Sequence, residues 1–442
     1  MTNTESGLYP SGEPTAGGNA AAYATALLFF ANLIGYLDRS ILTLLVQGVK
    51  ASLRLSDGEM GLMLGAGFVL TFSLAGLLIG RLVDRVNRRN LLILAIAIWS
   101  LSAAAGGLSR DGVQLFVTRM GVGVGEAALF PIAVSLIADY FEPARRGKPY
   151  GLFTTGVYAG GGLSLILAGA VLPWATSTSA RLAAEGHLIE PWRIVLFLML
   201  LPGVVGCGLL ATMKEPARRH AAAGETALRN AGFADWWARA GVFLPHHLFM
   251  SLVTLAMVAI TAWMPAVFIR EHAMATRSVG LMFGTVIAVT GVASAALAGL
   301  LADRSSRRNG AAGPLVMAMV CVAVGVAGFV ILFFARTPLA LLAGTVVAFS
   351  PLSMSLIAGI IAMSDLSPAR SRGQITSVYF LFTGVLGTAG GPALVGYLSD
   401  LSGGHSLGRV LSLTGLVACT CALGLAAFTD RRARSYLAAI QA

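Results

Sequence analysis

The sequence predicts an all-α membrane protein: twelve transmembrane helices in two pseudo-symmetric six-helix bundles. Three observations carry that prediction. Apolar runs of bilayer length recur along the whole chain, one charged stretch occurs twice, and Lys and Arg crowd onto alternate loops.

The apolar runs come first. Of the 442 residues, 56% are hydrophobic and 12% charged, with mean hydropathy +0.79. A soluble domain carries about twice that charge fraction. A helix crosses the bilayer with roughly 20 apolar residues. Runs of that kind fall at 22–48, 57–80, 90–108, 112–138, 148–172 and 191–213, then at 243–269, 278–301, 312–334, 338–363, 374–399 and 406–429. Barrel strands would alternate apolar and polar residues. "LLILAIAIWSLSAAAGGL" is apolar throughout and reads as helix. Residues 1–21 hold no Lys or Arg, which suits a flexible tail better than a signal peptide with its basic start.

The duplication divides the chain. "GRLVDRVNRRN" (Gly80 to Asn90) returns 219 residues later as "GLLADRSSRRN" (Gly299 to Asn309), and "EPARRG" (Glu142 to Gly147) returns 225 residues later as "SPARSRG" (Ser367 to Gly373). Both pairs are six helices apart, so the two halves run in the same orientation. Five segments follow: a cytoplasmic tail 1–21, a bundle 22–213, a cytoplasmic linker 214–240, a second bundle 243–429 and a tail 430–442. The linker holds a candidate surface helix around "FADWWARAG".

Charge placement gives the topology. Of the 31 Lys and Arg residues, 20 fall in one set of loops and tails, 9 in the other and 2 within spans. By the positive-inside rule the rich side is cytoplasmic and holds both termini. The net charge of +11 is therefore topological and lipid-facing, with no call for nucleic acid. The four cysteines lie in apolar spans, where small-residue packing explains them better than disulfides or metal. His246 and His247 open the seventh run and read as interfacial.

Function concentrates where charge is costly. An ionisable group at membrane depth marks a pathway by default. The first run contains Asp38 and Arg39, the fourth contains Arg119 and Glu126, and no run in the second half has a charge near its middle. At 1.5 Å per residue, Asp38 lies about 15 Å from the outer end, between Arg119 at about 10 Å and Glu126 at about 21 Å. Arg119 and Glu126 are two turns apart and share a helix face, whereas Asp38 and Arg39 point about 100° apart. A carboxylate in a low-dielectric site holds its proton tightly, and an approaching cation releases it. Asp38 and Glu126 are thus candidates for proton coupling, and Arg39 and Arg119 for a charge relay to substrate. Tyr36, Thr154, Tyr158, Tyr379 and Thr383 are candidate polar groups of the cavity. The repeated loops supply a candidate cytoplasmic gate of Gly80, Asp84, Arg85, Arg88, Arg89, Asp303 and Arg304. Topogenesis alone explains the arginines equally well, but it does not require Asp84.

Other classes fit less well. No nucleophile–base pair or metal-ligand set lies at membrane depth, as an enzyme would need. A channel favours like groups ringed around a symmetric axis, and these charges sit in one half. No cofactor is called for.

"GRLVDRVNRR" resembles the signature loop of the major facilitator superfamily, and "GLLADRSSRR" its weaker copy in the second half. Within that superfamily, "GYLDRS", "TRMGVGVGEA", "ADYFEPARRG", "AWMPAVFIR" and "GPALVGYLSD" are similar to the Spinster family of lysolipid and sphingolipid transporters. The resemblance implies a proton-linked transporter; the short loops and the Ala/Gly/Arg bias suggest a bacterial inner membrane, and a monomer is expected. It also implies a cavity lined by runs 1 and 4, an Asp38–Arg119 contact with Glu126 one layer deeper, and a gate built on the first helix pair. "EAALFP" (Glu126 to Pro131) is equally similar to symporters of organic anions and sugar acids, which share the Asp-Arg pair. The charge-poor second half favours an amphiphile over a small polar anion.

Overall fold

A computed structural model describes residues 18–83, 85–142, 145–218, 236–368, 371–404 and 406–441. Twelve helices among them are long and apolar enough to cross a membrane. They are α1 (Asn19–Leu53), α2 (Asp57–Gly80), α3 (Arg88–Leu108), α4 (Gly112–Tyr140), α5 (Gly147–Ala184) and α6 (Pro191–Ala211), followed by α7 (Ala240–His272), α8 (Thr276–Asn309), α9 (Gly313–Phe334), α10 (Pro338–Leu366), α11 (Gln374–Leu401) and α12 (Leu407–Ser435). Each expected run falls on one of these helices. Several helices are longer than expected: the 38 residues of α5 extend about 57 Å, well beyond a hydrocarbon core of about 30 Å. Helix α1 starts inside the stretch read as a tail, and helix continues from α12 to Gln441.

Local chemistry sets the helix ends. Ser56 accepts a hydrogen bond from the Glu59 amide while Glu59 accepts one from the Ser56 amide, a reciprocal cap that starts α2. Asn87, Asp111 and Thr337 cap α3, α4 and α10 through side-chain oxygens. Pro191 and Pro338 occupy first-turn positions, where the missing amide costs nothing. Thr383–Ala389 in α11 winds as a wider π-helical stretch, an insertion that re-aims the backbone near functional seams.

Twelve crossings leave both chain ends on one face of the bundle, called here the terminal face; the other is the distal face. The two halves meet along α2 with α11 and α5 with α8. Glycine permits the approach: a Cβ on Gly61 would come within 2.3 Å of the Pro392 carbonyl oxygen, and one on Gly162 within 2.4 Å of the Gly284 carbonyl oxygen. On α2 this stripe runs from Gly58 against Asp400, through Gly65 against Thr388, to Val69 and Ser73 against Gly384. Gly76 and Gly80 continue the same face towards the terminal side, and a Cβ on either would meet nothing within 4 Å. On α5 and α8 the packing runs from Gly169 against Gly280 to Tyr158 against Gly291, while Gly147, Gly151 and Gly299 again meet nothing. Among the described residues the halves are joined at the distal face and apart at the terminal face.

Several expected features lie outside the described residues: residues 1–17 of the tail, Asp84, Pro143 and Ala144 of the second repeat, Ala369 and Arg370 of its copy, and 219–235 of the linker, including Arg219 and the start of the surface-helix segment.

Candidate functional site

Two α1 residues project from adjacent positions in different directions. The Asp38 side chain is fully buried and faces Ser100 and Trp99 of α3. Neither of its oxygens reaches a hydrogen-bond partner, and Ser100 Oγ and Trp99 Nε1 are likewise unpartnered. Arg39 turns the other way. Its guanidinium lies 3.8 Å over the Phe68 ring and 4.6 Å from the Tyr36 ring centre, and donates to Glu126 Oε2 at 2.7 Å. The 100° step along a helix produces this divergence.

The expected Asp38–Arg119 side-chain contact is replaced by another arrangement. Arg119 Nη1 donates to the Asp38 backbone carbonyl at 3.3 Å and Nη2 to that of Arg39 at 3.4 Å. Glu126, two turns along α4, takes Arg39 as its partner, and its second oxygen remains unpartnered. Close packing of small residues allows this. Gly125 sits where a Cβ would strike Trp99, and Gly35 leaves 3.5 Å to the Glu126 carboxyl carbon. The result is a buried cluster of two acids and two guanidinium groups in the first half, with one acid paired and one not.

The expected polar groups of the cavity divide. Tyr36 lies under Arg39, and Tyr158 sits at the α5–α8 seam, edge-on to Phe349 at 6.5 Å. Thr154 is exposed and bonds back to its own helix. Tyr379 and Thr383 are buried in the second half, against the expectation of cavity exposure. Tyr379 packs on His246 and His247, and the Thr383 hydroxyl donates to the Tyr379 carbonyl.

His246 and His247 are fully buried, not interfacial. Their partners fix the tautomers. Trp236 Nε1–H donates to His247 Nε2 at 3.1 Å, so His247 carries its proton on Nδ1, which faces His246 Nδ1 at 3.4 Å. His246 Nε2 then donates to the Gly359 carbonyl at 3.1 Å. The chain of bonds ties the end of the linker to α7 and α10.

Among the described residues, the expected gate residues do not bridge the halves. Arg88 is buried within the first half, paired with Asp139 and with Glu215 at 2.8 Å, and its Nη1 donates to Ser135 Oγ. The Arg89 amide donates to Glu215 Oε2 and its guanidinium to the Met213 carbonyl. Both arginines thus fasten the start of the linker to α3 and α4, and Arg88 is a staple of its own half. Arg85, Asp303 and Arg304 are exposed.

The contact that does bridge the halves was not expected from sequence. Asp57 at the distal start of α2 is fully buried and accepts from Arg270 of α7 through both oxygens, at 2.7 and 2.6 Å. Lys50 and Ser399 complete its shell at 2.5 and 2.8 Å. In return, Asp400 of α11 accepts from the Asp57 and Gly58 amides at 2.9 and 2.7 Å. Helix α2 therefore has its first amides capped by the other half of the molecule. Arg270 and Asp400 end the segments "AWMPAVFIR" and "GPALVGYLSD", and "SDGE" contains the cap; nothing local in these segments says that they meet.

Two six-helix halves, joined at one face and parted at the other around a charged cluster in the first half, make a membrane transporter. Residues 28–392 match the Major Facilitator Superfamily, and the chain belongs to it. It is 26% identical over 405 residues to an MFS-type efflux pump of Mycolicibacterium smegmatis, covering 88% of each chain. It is 28% identical over 408 residues to human protein spinster homolog 1, covering 86% of this chain and 73% of that one. It is also 28% identical over 317 residues to a probable L-galactonate transporter of Escherichia coli, covering 68% of this chain and 65% of that one. Among solved structures, a bacterial homologue of the human lysosomal transporter Spinster, inward-facing and unoccupied, superposes with TM-score 0.81 at 22% identity over 96% and 98% of the two chains. A D-xylose–proton symporter superposes with TM-score 0.69 at 16% identity, over 91% and 97%.

Proposed function

We propose that this transporter is proton-coupled, is of the Spinster type, and moves an amphiphilic lysophospholipid- or sphingolipid-like substrate by alternating access. The two bundles, 22–213 and 243–429, rock about the midplane, and the positively charged terminal face is cytoplasmic in a bacterial inner membrane. The supporting observation is the unpartnered Asp38 carboxylate in the midst of buried charge. An unpartnered buried charge costs free energy that a bound proton removes. Arg119 lies at hydrogen-bond reach of the Asp38 carbonyl, and rocking that brings it to the carboxylate would exchange a proton for an ion pair. Glu126 does the same against Arg39. When the terminal face closes, the repeated loops with Asp84, Arg85, Asp303 and Arg304 form its gate.

The amphiphile is favoured because Tyr379 and Thr383 are buried, which leaves the second half poorer in exposed polar groups. A charged head then rests on Arg39 and Arg119, and a tail on apolar walls. A second reading, symport of a sugar acid, draws on the likeness to the galactonate transporter.

Proteoliposomes under an imposed pH gradient test both. Lysophospholipid movement that depends on the gradient in wild type, and no longer depends on it in Asp38→Asn or Glu126→Gln, is the expected result. Hexuronate movement without lysolipid movement would transfer the protein to the second reading. Gradient dependence surviving in Asp38→Asn would remove Asp38 as the coupling site.

A further inference from the structure

The first turns of α7 and the last apolar turns of α12 do not close on each other. Ala240, Gly241, Leu244, Pro245 and Leu248 on one side, with Leu425 and Phe428 on the other, line an open apolar cleft of about 440 Å³. Small residues make it: Gly241 has no side chain, and a Cβ there would meet nothing within 4 Å. Helix α7 has 33 residues, about 50 Å, so its first turns stand near the level where acyl chains meet headgroups. Cations stand at the mouth. The Arg432 guanidinium lies 5.2 Å over the Phe428 ring, one turn beyond the cleft, and neither Arg432 nor the neighbouring Arg431 makes an ion pair among the described residues. Arg239 precedes the lining residues, and Trp237 is 69% exposed at the same end. Exposed Trp beside Arg is the composition of a headgroup-level belt.

We infer that this cleft is a binding site for one anionic phospholipid, its acyl chain between α7 and α12 and its phosphate at Arg432. Hydrocarbon is the occupant because lining residues from both helices are exposed on the outer surface of the bundle, as the 38% and 46% exposure of Leu244 and Phe428 shows. The anionic class follows from the Arg431 and Arg432 guanidinium groups at an apolar mouth, the pattern of headgroup pockets between transmembrane helices. The site is separate from the charged cluster around Asp38, and its occupancy is read without any transport assay.

The test is native mass spectrometry of delipidated full-length protein, titrated separately with phosphatidylglycerol, phosphatidylcholine, dioleoylglycerol and glycerol phosphate. Wild type should retain one phosphatidylglycerol in preference to phosphatidylcholine. Arg432→Gln should lower that preference about fivefold, the weight of one cation at an anionic headgroup. Gly241→Leu should fill the chain's place and lower retention of phosphatidylglycerol and phosphatidylcholine alike, with unchanged thermal stability in detergent. Equal retention of the two phospholipids by wild type, a preference unchanged in Arg432→Gln, or retention unchanged in Gly241→Leu would reduce the cleft to annular contact and overturn the inference. Glycerol phosphate binding as tightly as phosphatidylglycerol would overturn the chain site, and dioleoylglycerol binding as tightly would overturn the phosphate contact.

Discussion

Asp57→Asn isolates the bond that holds the distal face closed. The substitution keeps shape and one oxygen but places an amide against Arg270. Hydrogen bonds to charged groups contribute about 1.5–3 kcal/mol each and neutral ones about 1 kcal/mol. Two such bonds cross the seam to Arg270, at 2.7 and 2.6 Å, while that to Lys50 stays within one half and does not bear on the equilibrium. Arg270 keeps 17% of its side chain in water, which discounts the Coulomb part and leaves about 2 kcal/mol. That is about a thirtyfold shift from distal-closed towards distal-open. Spin labels at Arg110 and Arg409, exposed on the distal face of opposite halves, report it by pulsed dipolar spectroscopy in a background lacking Cys207, Cys321, Cys419 and Cys421. The distance distribution should gain a longer component in Asp57→Asn and in Arg270→Gln. The double variant should add little to either, since both remove one interaction. An unchanged distribution in Asp57→Asn, or fully additive effects, would refute the lock.

Three further expectations concern other parts of the molecule. Arg88→Gln removes the Arg88 partner of buried Asp139, and should cost about 3 kcal/mol, measured as a lowered midpoint of thermal unfolding in detergent. Gly61→Val drives side-chain atoms into the Pro392 carbonyl and should populate the same distal-open distances as Asp57→Asn, with helix content by circular dichroism unchanged. His247→Phe keeps the ring packing against Phe243 and Phe382 but removes the acceptor of Trp236 Nε1–H; a loss of about 1 kcal/mol and a shift in tryptophan emission are expected.

Much of the fold was legible because a bilayer imposes length. Each of the twelve apolar runs lies on a helix. The acids and guanidinium groups of α1 and α4 were legible for the same reason, since charge at that depth stands out against its surroundings. Their pairing was not. Whether Arg119 or Arg39 takes the acid of the other helix depends on helix rotation and on which glycines let α3, α4 and α1 approach, and residue type fixes neither. That Tyr379 and Thr383 are buried against the second half's own helices depends on packing that residue type alone does not reveal. The Asp57–Arg270 contact was invisible for a different reason: 213 residues separate its partners, and each belongs to a loop end that looks unremarkable alone.

The Asp400 cap has a kinetic consequence. The Asp57 and Gly58 amides owe their acceptors to the opposite half, so parting the distal face strips the first turn of α2 to its local Ser56–Glu59 cap. Under the alternating access proposed above, each opening would be coupled to partial fraying of one helix terminus. Exchange of these two amide protons with deuterated solvent should then be faster when substrate drives turnover than when the protein rests.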